Sequence, residues 1–284
     1  MKPGQPSQTA VLVCLARAIA HEARVASGFT DPTARELLPD SARAQVDAYR
    51  AGRPKRLRAR FRYELITARA AMMAVRSMIV DDAVREAIGD GVRQVVILGA
   101  GLDGRAWRLP ELQDAIVYEV DHPDTQREKI ARTQALERHA REVKFVAVDF
   151  TRDDLNVRLA AAGHDSSKPT MWIWEGVVMY LTPAEVEATL RIIAARSAAG
   201  SRLAIVYIGP GSHFLVPIVA LVVRRMGEPF RSRFRAEEMR TLLTRHGFEV
   251  QRDESLPETA ARIAPSCEKA THRVRHLRTV IARR

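Results

Sequence analysis

The sequence predicts an α/β fold: a doubly wound, Rossmann-like, mostly parallel sheet of seven strands with an antiparallel closing strand, preceded by an N-terminal helical cap. Beyond Gly91, short β-branched runs alternate with longer helical segments, and five such runs end 22 to 32 residues apart, the length of a strand–helix–strand unit. These runs are apolar almost throughout, as in strands that helices cover on both faces. The first 88 residues, in contrast, contain no convincing strand.

The N-terminal part has helical periodicity with two breaks. Asp31-Pro32 ends a first helix and places a proline in the first turn of the next. Gly52-Arg-Pro54 makes the second break, and from Tyr63 to Ile88 the apolar positions recur at helical spacing. We therefore expect residues 1–88 to form a helical cap or substrate lid. Residues 89–284 then form the sheet domain, with an insertion at about residues 208–235.

Five strands and three connecting helices are predicted in the first part of this domain. The helices are expected over Thr125–Ala140, Asp153–Ala162 and Pro183–Ala199. The strands are expected at Gln94–Leu98, Ala115–Val120, Val143–Val148, Thr170–Trp174 and Arg202–Tyr207.

Two late strands close the predicted sheet. Gly247–Val250 and Leu277–Ile281 have strand character, and a helix is expected over Ala236–His246. The two strands are expected to be joined by a loop with little room for a crossover helix, so one of them is expected to run antiparallel.

Composition excludes several classes of protein. The 284 residues contain 46% hydrophobic and 28% charged residues, a balance that excludes disorder, collagen and coiled coil. Two distant cysteines exclude a disulfide framework, and no metal site is predicted. The run Ala10–Leu15 is too short for a signal peptide, and Phe214–Val223, which contains a proline, is too short for a membrane span. We expect a cytoplasmic protein that does not bind membranes.

The net charge of +11 lies in two segments. Residues 50–62 carry seven cations and residues 269–284 carry six, neither with an acid, so the rest of the chain is near neutral. Such segments can meet RNA, an acidic carrier protein or an anionic substrate, or can simply be solvated.

A glycine-rich loop follows the first strand. Gly99-Ala-Gly-Leu-Asp-Gly104 matches G-x-G-x-x-G between a strand and a helix, where the glycines let the backbone approach a nucleotide. Asp121 lies twenty residues after Gly101, where an acid bonds ribose hydroxyls. The spacing alone fits both NAD and S-adenosylmethionine.

Further acids distinguish the two cofactors. Asp149 and Glu175 fall at the ends of the third and fourth strands, so that with Asp103 and Asp121 four carboxylates are expected at one rim. That many anions repel a pyrophosphate and attract a cationic sulfonium. The sequence therefore favours S-adenosylmethionine over NAD.

The motifs resemble those of the leucine carboxyl methyltransferase-like family of class I methyltransferases. One departure is Gly104, where the family usually has threonine. The similar segments are Ser7–Ala10, Asp31–Ala34, Arg76 before Asp81-Asp82, Val95–Leu109, Tyr118–Asp121, Val146–Phe150, Trp174–Leu181 and Gly227–Pro229.

The resemblance implies a role for each matching position. Arg76 would pair with the cofactor's carboxylate and Glu175 would lie near its amino group. Asp121 would hold the ribose, and Asp149 with Phe150 would recognise adenine. Gly99, Ala100 and Gly101 would let the backbone pass the methionine portion.

The resemblance also implies O-methylation of a small molecule in secondary metabolism, most simply of a carboxylate to a methyl ester. A carboxylate is ionised at neutral pH and needs no general base, so we assign none, although His122, His213 and His246 are the nearest candidates. Tyr180 and Tyr207 are predicted to bond the acceptor. The alternatives are a hydroxyl, nitrogen or RNA acceptor, an NAD-dependent oxidoreductase, or a scaffold without catalysis; an acyl-carrier protein is a further possible partner.

Overall fold

The computed structural model describes residues 7–149, 152–210 and 230–284 and contains a seven-stranded sheet. The strand order is β3-β2-β1-β4-β5-β7-β6; β1 to β5 are parallel, and β7 runs antiparallel to both of its neighbours. The predicted mixed sheet is confirmed. The strands are β1 Gln94–Leu98, β2 Ile116–Asp121, β3 Glu142–Ala147, β4 Thr170–Trp174, β5 Arg202–Ile208, β6 Glu249–Ser255 and β7 Leu277–Arg283.

The described segments contain eleven α-helices, which we number in chain order. Short 3₁₀ turns cover 110–114, 178–180, 265–267 and 272–274. The helices are α1 Gln8–Glu22, α2 Thr33–Leu37, α3 Asp40–Arg50, α4 Leu57–Gly89, α5 Arg105–Arg108, α6 Pro123–Thr133, α7 Leu155–Ala161, α8 Pro183–Ala195, α9 Ala236–Arg245, α10 Leu256–Ile263 and α11 Glu268–Thr271.

Helices cover both faces of the sheet, as the apolar strands predict. Leu159 of α7, Leu190 of α8 and Leu243 of α9 are fully buried against one face. The second half of α4, from Ile79 to Ala87, and Trp107 of α5 pack on the other. Each residue of β1 and β4 is buried, because these central strands have helices above and below.

The predicted N-terminal cap is present. Helices α1, α2, α3 and the first half of α4 share an apolar core, to which Leu256 and Ala260 of α10 also belong. The break predicted at Asp31-Pro32 is confirmed only for the start of the second helix: α2 begins at Thr33 with Pro32 as its N-cap, whereas α1 already ends at Glu22. Helix α4 runs for 33 residues from this core into the core beneath the sheet, so it ties the cap to the strands. The division at residue 88 remains a prediction.

The connection between β6 and β7 differs from the prediction. Helices α10 and α11 lie there, and α10 packs against α4. The expectation of a plain loop is therefore wrong, although the antiparallel strand is confirmed. Ser255 and Glu258 form a capping box, with Pro257 in the first turn, and these residues start α10.

The predicted insertion falls largely outside the described residues. This applies to His213, to Phe214–Val223 and to the Gly227–Pro229 motif; residues 208–210 and 230–235 are described. Among the helices that are described, none combines the length and the apolar character needed to cross a bilayer.

A buried ion pair lies beneath α6. Lys129 Nζ is 2.6 Å from Glu119 Oε2, and both side chains are 1% exposed. Burial raises the pKa of Glu119 to about 7, while the Lys129 charge opposes that rise. A carboxyl with a higher pKa in the folded than in the unfolded chain keeps its proton longer when folded. Its ionisation therefore lowers the free energy of unfolding as pH rises.

The Lys129→Met variant tests this pair. Without the lysine, the pKa of Glu119 rises further, so the variant loses stability relative to wild type as pH increases from about 5 to about 8, by roughly 3–5 kcal/mol at the upper end. Urea unfolding at several pH values measures the difference. The Glu119→Gln/Lys129→Met double variant, which lacks the titrating group, should show no such slope. A pH-independent deficit in the single variant contradicts the assignment.

Candidate functional site

The glycine loop lies at the carboxyl edge of the parallel strands. The amides of Gly99 and Ala100 both donate to the Val120 carbonyl, at 2.8 and 3.0 Å, and fasten the loop to β2. Gly99 has φ +68°, and a Cβ there would overlap the Val177 side chain. A Cβ on Gly101, with φ +48°, would come within 3.0 Å of the Ala10 Cβ. Both glycines are required because the backbone passes so close to these neighbours.

A cleft of about 270 Å³ opens over this loop. It is lined by residues 99–103, by residues at the ends of β2 and β4, and by α1 together with its N-cap Ser7. The cap therefore completes the cleft. The predicted residues Arg76, Gly99, Ala100, Gly101, Asp121, Glu175 and Tyr180 all line it.

Asp121 is oriented by the backbone. Its Oδ2 accepts from the Gly101 amide and its Oδ1 accepts from the His122 amide at 2.6 Å. Burial raises the pKa of this carboxyl, and the two amide bonds oppose the rise. Each oxygen keeps a second lone pair, so the carboxylate can still accept from two ribose hydroxyls. The position fits the role predicted for Asp121.

The adenine side of the cleft is described in part. Val148 lines it and Asp149 follows directly, its amide donating to Asp153 Oδ2 at 2.8 Å. Asp149 is not among the lining residues, and Phe150 lies outside the described residues. Adenine recognition by these two residues remains a prediction.

Arg76 and Glu175 contact each other inside the cleft. Arg76 Nε donates to Glu175 Oε1 at 2.6 Å, and their side chains are 9% and 11% exposed. Arg105 Nη2 is 2.9 Å from the other Glu175 oxygen, and the two cations hold the pKa of Glu175 below its ordinary value. The predicted contacts of Arg76 and Glu175 with the cofactor's carboxylate and amino group remain predictions, and the two residues are positioned for them.

The pair belongs to a larger ion-pair network that the sequence analysis missed. Eight side chains, none more than 11% exposed, alternate in sign from the cap to the end of β4. In order, they are Arg17, Asp31, Arg108, Asp81, Arg105, then both Asp103 and Glu175, and Arg76 on Glu175. The sequence signal was the set of acids and arginines inside otherwise apolar segments.

This network corrects the electrostatic argument made from the sequence. Asp103 and Glu175 were expected to add unpaired negative charge at the rim. Both instead contact the Arg105 guanidinium, which keeps the pKa of Asp103 well below its ordinary value. Four cations balance four anions, so the network is neutral and does not itself repel a pyrophosphate. The charge-based preference for a sulfonium over NAD is therefore weaker than predicted.

The two predicted acceptor tyrosines differ in position. Tyr180 lines the cleft, and its ring stacks on Phe230 with centroids 5.7 Å apart. Tyr207 is fully buried in β5; its hydroxyl donates to Asp253 Oδ2 at 2.7 Å and accepts from Arg278 Nε at 3.2 Å. The prediction for Tyr207 is wrong, because these partners from β6 and β7 hold the hydroxyl away from the cleft.

Two other polar residues of the cleft concern ligand binding. His122 caps α6, and its Nδ1 accepts from the Asp124 amide at 3.2 Å. Thr9 Oγ1 is buried and has no hydrogen-bond partner in the described part of the chain. A buried hydroxyl of this kind is costly unless a ligand satisfies it, so Thr9 is a further candidate for binding. The sequence analysis did not single it out.

Thr33 explains why this chain has glycine at position 104, where the family usually has threonine. A Cβ at this position would overlap Thr33 Oγ1, whose hydroxyl donates to Asp31 Oδ1 at 2.8 Å. The hydroxyl of Thr33 thus fills the space that a side chain at 104 would need. The backbone conformation does not require glycine here, because any residue can adopt the φ of −107°. The lack of space for a side chain does.

The Gly104→Thr substitution tests this packing. Alone it should lower the free energy of unfolding by about 1–3 kcal/mol through overpacking. In a Thr33→Ala background the same substitution should cost at least about 1 kcal/mol less, because the competing hydroxyl is gone. Denaturant unfolding of the four proteins gives the coupling. Equal costs in the two backgrounds would show that Thr33 does not set the requirement.

Comparison with known proteins identifies the family. The leucine carboxyl methyltransferase family pattern matches residues 10–194, more than half of the chain. A Mycolicibacterium smegmatis protein, named as a candidate S-adenosyl-L-methionine-dependent methyltransferase, is 40% identical over 181 residues, 63% of this chain and 54% of that protein. A Streptomyces coelicolor protein with the same designation is 38% identical over 210 residues, 70% of this chain and 69% of its own length. The chain thus spans about half the length of the first relative.

The fold has counterparts among solved structures. Magnesium protoporphyrin IX methyltransferase from Synechocystis, crystallised with bound S-adenosylhomocysteine, superposes with a TM-score of 0.50 at 15% identity, covering 88% of this chain and 97% of that one. At this identity the likeness concerns the fold alone. The family pattern and the relatives confirm the predicted family: the chain belongs to the leucine carboxyl methyltransferase family.

Proposed function

We propose that this protein transfers the methyl group of S-adenosylmethionine to a carboxylate oxygen of a small-molecule acid and produces a methyl ester. The observation that carries the proposal is that the titratable groups of the cleft already have hydrogen-bond or ion-pair partners. Each of those described has a partner already, and the cleft lies in a chain of a carboxyl methyltransferase family.

The residues that would hold the methyl donor fit it. The carboxylate of Asp121 has lone pairs left for two hydroxyls, and Arg76 and Glu175 offer opposite charges to the donor's carboxylate and ammonium. Gly99 and Gly101 let the backbone lie against the ligand. The buried hydroxyl of Thr9 gains a partner when the ligand binds.

A carboxylate suits this cleft because it arrives ionised. The candidate bases are otherwise engaged: Asp103 and Glu175 contact Arg105, and His122 Nδ1 accepts from a backbone amide. A hydroxyl or ammonium acceptor would need one of them to accept a proton. This favours the carboxylate over the hydroxyl, nitrogen and RNA alternatives.

The chemistry asks little of the protein beyond positioning. The bound donor supplies an electrophilic methyl group and a leaving group that becomes a neutral thioether as the carboxylate oxygen bonds to carbon. The glycine loop and α1 both line the cleft, where they would hold the reactants in line. Orientation of this kind can account for about 7–11 kcal/mol of a barrier.

The experiment is methyl transfer from labelled S-adenosylmethionine to a panel of carboxylic acids, alcohols and amines, with total RNA as a separate acceptor. Labelled product should form with acids and be released by mild base, as methyl esters are. Label that resists base, or that enters RNA, would contradict the proposal.

Asp121→Ala gives the matching binding measurement. Loss of charged hydrogen bonds to a ligand costs about 1.5–3 kcal/mol, so calorimetric affinity for S-adenosylhomocysteine should fall roughly tenfold to a hundredfold. Asp114→Asn, an exposed acid beyond the cleft, is the control and should bind like wild type. An unchanged affinity in Asp121→Ala would remove the ribose assignment.

A further inference from the structure

A second cavity of about 530 Å³ lies on the other side of α1. Its volume is within the range of small-molecule sites. It is enclosed by α1, by the first half of α4, by Phe230 and by residues 270–276. Helix α1 separates the two cavities: Ala10, Val13 and Arg17 face the cofactor cleft, and Leu12, Leu15 and Ile19 face the second cavity.

A stacked aromatic pair lies where the two cavities approach each other. Tyr180 lines the cleft and Phe230 lines the second cavity, and their rings stack. The backbone holds the pair together, since the Arg231 amide donates to the Met179 carbonyl at 2.8 Å and Ser232 Oγ donates to the Val178 carbonyl at 2.9 Å. The stacked rings therefore border the cleft on one side and the second cavity on the other.

One face of α4 runs from the cleft along the length of the second cavity. From Arg76 in the cleft, one face of the helix continues through Met72, Arg69, Leu65 and Arg62 at spacings of four and three residues. At 1.5 Å per residue, Arg69 lies about 10 Å and Arg62 about 21 Å from Arg76 along the axis. The walls near the cleft are apolar, and cations appear farther out.

The arginines of the second cavity lack ion-pair partners within the described residues. Arg62, Arg69 and Arg273 line the cavity and are exposed, and within the described ranges none of them has an ion-pair partner. No carboxylate is found among the cavity's described lining residues either. The nearby Arg50 and Arg53, in contrast, pair with Glu22 and Glu64. Guanidinium groups at an apolar cavity are suited to a carboxylate or phosphate.

We propose that the second cavity binds the acceptor, and that the acceptor is an elongated apolar acid with a second anionic group at its far end. The reacting carboxylate lies beside the Tyr180–Phe230 pair. The apolar body lies along Leu12 and Met72, and Arg69 and Arg273 bind the distal anion. This inference rests on the proposed function and adds the substrate class.

Calorimetry with two defined acids tests it, in the presence of S-adenosylhomocysteine. Dodecanedioic acid should bind at least about tenfold more tightly than dodecanoic acid, because it alone makes charged hydrogen bonds at the far end. The Arg69→Gln/Arg273→Gln variant should bind the diacid no better than the monoacid and keep the wild-type affinity for the monoacid. Arg245→Gln, an exposed position on α9, is the control and should change neither affinity.

Several results would overturn the inference: equal affinities in the wild type, no binding of either acid, or a diacid preference that survives in the double variant. The measurement needs no turnover, so its failure can be distinguished from failure of the proposed reaction. Diacid preference without ester formation would refute the reaction alone, whereas ester formation without diacid preference would refute the substrate class alone.

Discussion

The buried ion-pair network from Arg17 to Arg76 is the constraint on which the site depends. It joins α1 and the α1–α2 loop of the cap to α4, to α5 and to the end of β4. Arg17 also donates to the Leu102 carbonyl at 2.8 Å, so the cap contacts the glycine loop directly. Loss of one member leaves the neutral network with one uncompensated buried charge, at a cost of roughly 3–5 kcal/mol. The network therefore fixes how the cap sits on the loop.

This arrangement separates two tasks that the sequence analysis assigned to the same four acids. Asp103 and Glu175 are primarily members of a neutral structural network, whereas Asp121 accepts from backbone amides and keeps lone pairs for a ligand. The charged groups of the cleft are thus held in place by specific partners and add little net charge. Helix α1 likewise has two roles. Its polar face contributes to the network and lines the cleft, and its apolar face lines the second cavity.

The fold could be predicted well because burial on both faces leaves continuous apolar runs, as in Thr170–Trp174, whose predicted and observed bounds agree. The glycine loop and Asp121 could be predicted because a local spacing encodes them. Contacts between distant segments could not: Arg105 gathers acids from α4, the glycine loop and β4. Tyr207 was misassigned for the same reason, since Asp253 and Arg278 come from strands 46 and 71 residues away.

Amide hydrogen exchange, with and without S-adenosylhomocysteine, tests the central claim that the network couples the cap to the glycine loop. Because Arg17 joins α1 to that loop, ligand binding should slow exchange in α1 and in residues 99–104 together, and in Arg17→Met the protection of α1 should be lost first. Protection confined to the loop in the wild type, with α1 exchanging at its ligand-free rate, would contradict the account.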